Sequence, residues 1–116
     1  MTRFLETLAA LLLLAGVPAA ARPAEPRVVE IVAKRFQFTP NVVTLKRDEP
    51  VVLRLRSEDV VHGFFARPLG IDTTIPPGQV TDVKVTPHAA GSYPVICHHF
   101  CGTGHGGMKL TVVVED

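Results

Sequence analysis

The sequence predicts an all-β domain, a Greek-key β-sandwich, and three observations carry that expectation. Short β-branched runs alternate apolar and polar residues with period two from Val28 to the C-terminus. Pro and Gly signals such as Pro76-Pro77-Gly78 and Ala90-Gly91 separate the runs. After residue 22 no segment keeps a helical period over three turns. Seven or eight strands at this spacing, within 116 residues, fit one two-sheet domain.

The N-terminal region follows a different pattern. Arg3 precedes the uncharged run "TLAALLLLAGV", and Ala19-Ala20-Ala21 offers the small residues of a cleavage site, so residues 1–21 read as a secretory signal peptide. The alternative is a membrane anchor over residues 4–21. The uncharged stretch from Thr7 to Ala21, however, is shorter than the roughly 20 residues a span needs. No cysteine directly follows the run to carry a lipid. Residues 22–27, with two prolines and three charges, read as a short leader, and 28–116 as the folded domain. The expected mature chain therefore lies in the periplasm or outside the cell and has no stable membrane span.

Within the domain, "VVEIVA" sets Val29, Ile31 and Ala33 against Val28, Glu30 and Val32, and "VVTLKR" follows a Thr39-Pro40-Asn41 turn. "VVLRLRS" places Val51, Leu53 and Leu55 opposite Arg54 and Arg56. "VTDVKVT" places Thr81, Val83 and Val85 opposite Asp82 and Lys84. "GSYPVI" precedes the last strand, "KLTVVVE", where Leu110, Val112 and Val114 share a face. His62 is expected to end a strand, with one further strand-turn-strand unit before Cys97.

Charge is balanced: 12 Lys and Arg against 11 Asp and Glu leave +1, and the charges are interspersed. That pattern belongs to a solvated face and excludes a nucleic-acid binder.

The chemistry is concentrated in "CHHFCGTGHGGM", residues 97–108, which holds both cysteines of the chain and one of its two methionines. Its spacing is Cys97-x3-Cys101-x3-His105-x2-Met108. Thiolate, imidazole and thioether are soft donors that favour copper over Mg²⁺, Ca²⁺ or Mn²⁺. Thioether sulfur is a poor zinc ligand. Glycines at 102, 104, 106 and 107 allow the loop to close tightly on an ion. His62, in "SEDVVHGF", is a further ligand that a sandwich brings to the same end. The competing reading is a disulfide between Cys97 and Cys101 in an exported chain; it leaves His62, His105 and Met108 without a role. A mononuclear blue-copper site of His62, Cys101, His105 and Met108 leaves Cys97 without one. Met108 also has a reading as core packing. His98 and His88 are expected on the surface, and Phe64, Phe65 and Phe100 are either core or an apolar rim.

These residues resemble the copper-binding cupredoxin domain of cytochrome c oxidase subunit II, whose mixed-valence dinuclear centre is called CuA. The resemblance runs from about Val29 to Val114. It rests on "FQFTPNVVTLKRDEPVVLRLRSEDVVHGF", "PPGQVTDVKV", "AGSYPVIC" and the loop itself. It implies two copper ions bridged by Cys97 and Cys101, with His62 on one and His105 on the other. Met108 would be a weak axial ligand to one ion, and the backbone carbonyl of His99 would serve the other. The chain departs from the family at His99, where most members carry a Glu that helps hold magnesium. It departs also at Leu110, where Gly is frequent, and in having no Trp. The function implied is one-electron transfer, as a carrier or as the subunit that admits electrons to an oxidase complex. Its partner would be a cytochrome c or a membrane oxidase. The residues show no general acid–base pair, so catalysis by the chain alone is not expected. The alternative is a protein that stores copper or delivers it.

Overall fold

The computed structural model describes residues 25–100 and 102–116. The expected signal peptide and residues 22–24 of the expected leader lie outside the described residues, and so does Cys101. Nine strands follow in chain order: β1 (Arg27–Lys34), β2 (Gln37–Thr39), β3 (Val42–Lys46), β4 (Val51–Ser57), β5 (His62–Ala66), β6 (Ile71–Ile75), β7 (Thr81–Val85), β8 (Gly91–Ile96) and β9 (Lys109–Glu115). Helical structure among the described residues is limited to two short 3₁₀ turns, Arg67–Leu69 and His105–Gly107.

The strands form a four-stranded sheet, β2-β1-β4-β7, and a five-stranded sheet, β3-β9-β8-β5-β6. The pairs β1–β4 and β3–β9 run parallel, with Ile31 opposite Leu55 and Val43 opposite Val112. The other pairs are antiparallel. The all-β sandwich expected from the sequence is therefore the architecture observed.

Period-two alternation explains the core. In β4, Val51, Leu53, Leu55 and Ser57 are buried while Arg56 faces solvent. In β9, Leu110, Val112 and Val114 are buried between exposed or half-buried neighbours. Phe38 of β2 meets Phe64 of β5 edge-on, with ring centroids 5.5 Å apart, so an aromatic contact joins the two sheets.

Three expectations need correction. Nine strands among the described residues replace seven or eight, in part because β2 is only three residues long and too short to show a period. His62 opens a strand and does not end one. The chain leaves β4 at Ser57, where side chains take over the backbone donors: Asp59 N–H donates to Ser57 Oγ and Val60 N–H to Asp59 Oδ1. Finally, β5, β6, β7 and β8 all lie between His62 and Cys97, in place of one strand-turn-strand unit.

Candidate metal centre

The end of the sandwich that carries the soft ligands is built by three segments. These are the start of β5, the connection from β8 to β9, and the β1–β2 turn. Cys97 directly follows β8 and is buried. Its N–H donates to the Met108 carbonyl at 3.2 Å, which closes the loop at its base. The Met108 side chain is buried as well, so the thioether faces the interior. Leu110, the departure from the family two residues later, is an inward residue of β9.

His62 is fully buried. Its Nε2 lies 2.7 Å from Asp59 Oδ1, and its Nδ1 lies 4.0 Å from Cys97 Sγ. Desolvation pushes the Asp59 carboxyl up, but hydrogen bonds from the Arg35 N–H, the His62 ring and the Val60 N–H outweigh it and hold it down at about 2. The carboxylate is thus ionised and accepts a hydrogen bond from Nε2–H, with Nδ1 on the side of the sulfur. Cys97 Sγ also lies 3.3 Å from the His99 carbonyl oxygen and accepts the Gly63 N–H at 3.2 Å. The structure therefore brings together His62, Cys97 and the His99 carbonyl. The His99 side chain is exposed. His105, half-buried, opens the second 3₁₀ turn, with its ring centroid 5.9 Å from that of Phe100. Cys101, the fourth sequence-predicted side chain of the loop, lies outside the described residues.

The described donors fit a soft metal. An imidazole nitrogen and a carbonyl oxygen each lie within 4.0 Å of a buried sulfur, and a buried thioether sits in the same loop. Counting only His, Cys, Asp and Glu, the described residues bring no three donors together. Thioether and carbonyl are not among those types.

The remaining residues singled out in the sequence divide cleanly. Phe64 is core; Phe65 is half-buried on the outer sheet face; Phe100 is 72% exposed. His98 is exposed, as expected. It stacks on Phe65 at 4.9 Å and pairs with Asp72 at 2.9 Å. His88 is a surface residue beside Asp48. The four loop glycines also separate. A Cβ on Gly106 or Gly107 would meet open space, whereas one on Gly102 or Gly104 would strike the Phe36 ring.

Sequence reading left Asp59, Gly63 and Phe36 without roles. Asp59 and Gly63 flank His62 in the quoted motif, so a polar residue three positions before a candidate ligand was the available signal. Phe36 had none, because only the fold places it against the loop.

The chain belongs to the cupredoxin-like domain family, whose model matches residues 7–112. Within it, the chain is similar to cytochrome c oxidase subunit 2 of Thermus thermophilus. The two are 34% identical over 88 residues, 76% of this chain and 65% of the relative. It spans less than two thirds of the length of the curated relatives it matches first. A subunit of a heme-copper terminal oxidase dimer matches it with a TM-score of 0.70 and 25% identity, over 82% of this chain and 74% of that one. The periplasmic domain of subunit II of cytochrome oxidase from Bradyrhizobium japonicum matches at 0.73 and 15% identity, over 81% and 87%, which shows a shared fold.

Proposed function

We propose that this domain is a copper electron-transfer module with a dinuclear CuA-type site. It would accept an electron from a reduced c-type cytochrome and pass it to a membrane oxidase. The observation that carries the reading is the buried His62 imidazole, held by Asp59 and turned toward Cys97 Sγ at 4.0 Å. The similarity to oxidase subunit 2 supports the same class of function.

In this reading His62, Cys97, Cys101, His105 and Met108, with the His99 carbonyl, hold two coppers. The copper pair supplies one-electron uptake and release. The protein's share is to hold the donors still. Asp59 fixes the His62 tautomer, and the Gly63 N–H places positive dipole on the Cys97 sulfur, which favours the reduced state. Burial of Cys97, His62 and Met108 keeps water from the donors.

We further propose that residues 1–21 are a cleaved signal, and that 28–116 form the copper-binding domain outside the cytoplasm. Among the described residues no helix is long and apolar enough to cross a membrane.

Metal analysis with paramagnetic resonance of the copper-loaded protein tests the site. The expected result is two coppers per chain and more hyperfine lines than the four of a single copper nucleus, because one unpaired spin is shared by two nuclei. Cys97→Ser should abolish that spectrum. One copper, with a spectrum indifferent to Cys97, would establish a mononuclear site. Copper that exchanges within seconds would point to delivery, and no tight copper to a disulfide.

A further inference from the structure

The β1–β2 turn belongs to the sheet opposite the metal loop, yet it touches both halves of the proposed ligand set. Its two central residues are Arg35 and Phe36, between Lys34 and Gln37, which pair across the hairpin. Arg35 N–H donates to Asp59 Oδ2 at 2.8 Å, and the other oxygen of that carboxylate holds His62 Nε2. A further backbone bond, Glu58 N–H to the Ala33 carbonyl at 3.0 Å, fixes the same two segments. Phe36 reaches the other way. A Cβ built on Gly104 would stand 2.5 Å from Phe36 Cδ2, and one on Gly102 would stand 2.9 Å from Cε1 and Cζ. The ring thus occupies a notch that exists only because both positions lack side chains. Gly102 also has φ +138°, a conformation that favours glycine.

From this juxtaposition we infer that the β1–β2 turn is a clamp that sets the metal loop before metal arrives. Phe36 is its positioning residue for the segment between Cys101 and His105, and the Arg35 amide is its tie, through Asp59, to His62. The loop contains four glycines, and among the described residues its internal backbone bonds are the Cys97–Met108 closure and three turn contacts: His105 N–H to Gly102 O, Gly107 N–H to Gly104 O and Met108 N–H to His105 O, at 3.1, 3.2 and 3.2 Å. Glycine-rich segments pay the highest ordering entropy. A ring seated across Gly102 and Gly104 removes much of that freedom in the folded, metal-free state. Phe36 remains 39% exposed, so its contribution to the main core is small, whereas its contact with the loop is direct.

The clamp itself is independent of which metal binds; its consequence for copper rests on the function proposed above. Amide hydrogen exchange on the metal-free protein tests the clamp alone. In the wild type the His105, Gly107 and Met108 amides should be protected. Phe36→Ala should speed their exchange by roughly tenfold or more while strand amides such as Leu53 and Val112 keep their rates. Phe36→Leu, which restores apolar bulk, should recover most of the protection. An unprotected wild-type loop, equal loop exchange in wild type and Phe36→Ala, or faster exchange spread over every strand would each overturn the inference. Transfer of copper from the loaded protein to a chelator then tests the consequence, with faster loss expected from Phe36→Ala than from Phe36→Leu. If the protein takes up no copper but the exchange pattern holds, the copper reading fails and the clamp stands. If copper binds in pairs and the exchange pattern is absent, the clamp fails alone.

Discussion

Asp59 is a single carboxylate with two tasks, and its chemistry explains why Asn would not replace it. Oδ1 receives the His62 ring proton and the Val60 N–H, while Oδ2 receives the Arg35 N–H. An amide has one acceptor oxygen, so Asp59→Asn must turn an NH₂ toward one of these donors. A donor facing a donor in a half-buried site costs about 1–3 kcal/mol, and the 26% exposure of the side chain places this one toward the lower end. Urea unfolding of the metal-free protein should show that loss, and the His62 ring N–H should exchange faster with water than in the wild type. Unchanged stability with an unchanged ring signal would mean that Asp59 does not orient His62.

At the scale of the element, β5 and the β8–β9 connection meet through a glycine. Gly63 must donate its N–H to Cys97 Sγ and also let the backbone of residues 98 and 99 pass across its face. A Cβ there would lie 2.6 Å from His98 Nδ1 and from the His99 nitrogen, and 2.7 Å from the His98 nitrogen. Two of these neighbours are backbone atoms with no rotamer to change, so the loop itself must move. Gly63→Ala is therefore expected to displace residues 97–100, to lower stability by about 1–3 kcal/mol and to weaken metal binding. Gly106→Ala, with open space around its Cβ, should do none of these. Amide chemical-shift maps of the two variants, with urea midpoints, make the comparison; equal behaviour of the two would remove the argument for Gly63.

On the scale of the whole molecule, size and address are linked. A domain as small as the one that begins at β1 buries only something over 60% of its unfolded surface, so a bound metal would add stability that the core alone supplies sparingly. The core is nonetheless continuous across the sheets, through Phe38 on Phe64 and the buried alternation of β4 and β9. The described domain begins its first strand at Arg27, the last residue of the expected leader. Removal of residues 1–21 thus leaves every described strand intact. N-terminal sequencing of protein recovered from outside the cytoplasm should begin at Arg22, and a start at Met1 would refute cleavage there.

The sequence by itself determined the fold class and the inward faces of the strands, and it supplied the residue types of the proposed site. Period two survives in any strand whose one face is buried, and Val51, Leu53, Leu55, Leu110, Val112 and Val114 are all buried as that period required. The soft donors were legible because the 97–108 loop carries its chemistry in consecutive residues. What only the tertiary structure decided is who stands behind those donors. That His62 opens β5 follows from Ser57 and Asp59 taking backbone bonds, which a hydropathy pattern does not record. That Gly102 and Gly104 are needed for a neighbour, while Gly106 and Gly107 face open space, depends on where Phe36 lies. Contacts between segments far apart in the chain leave no periodic trace. They arise when two sheets close on a common core and bring the turn of one against the loop of the other.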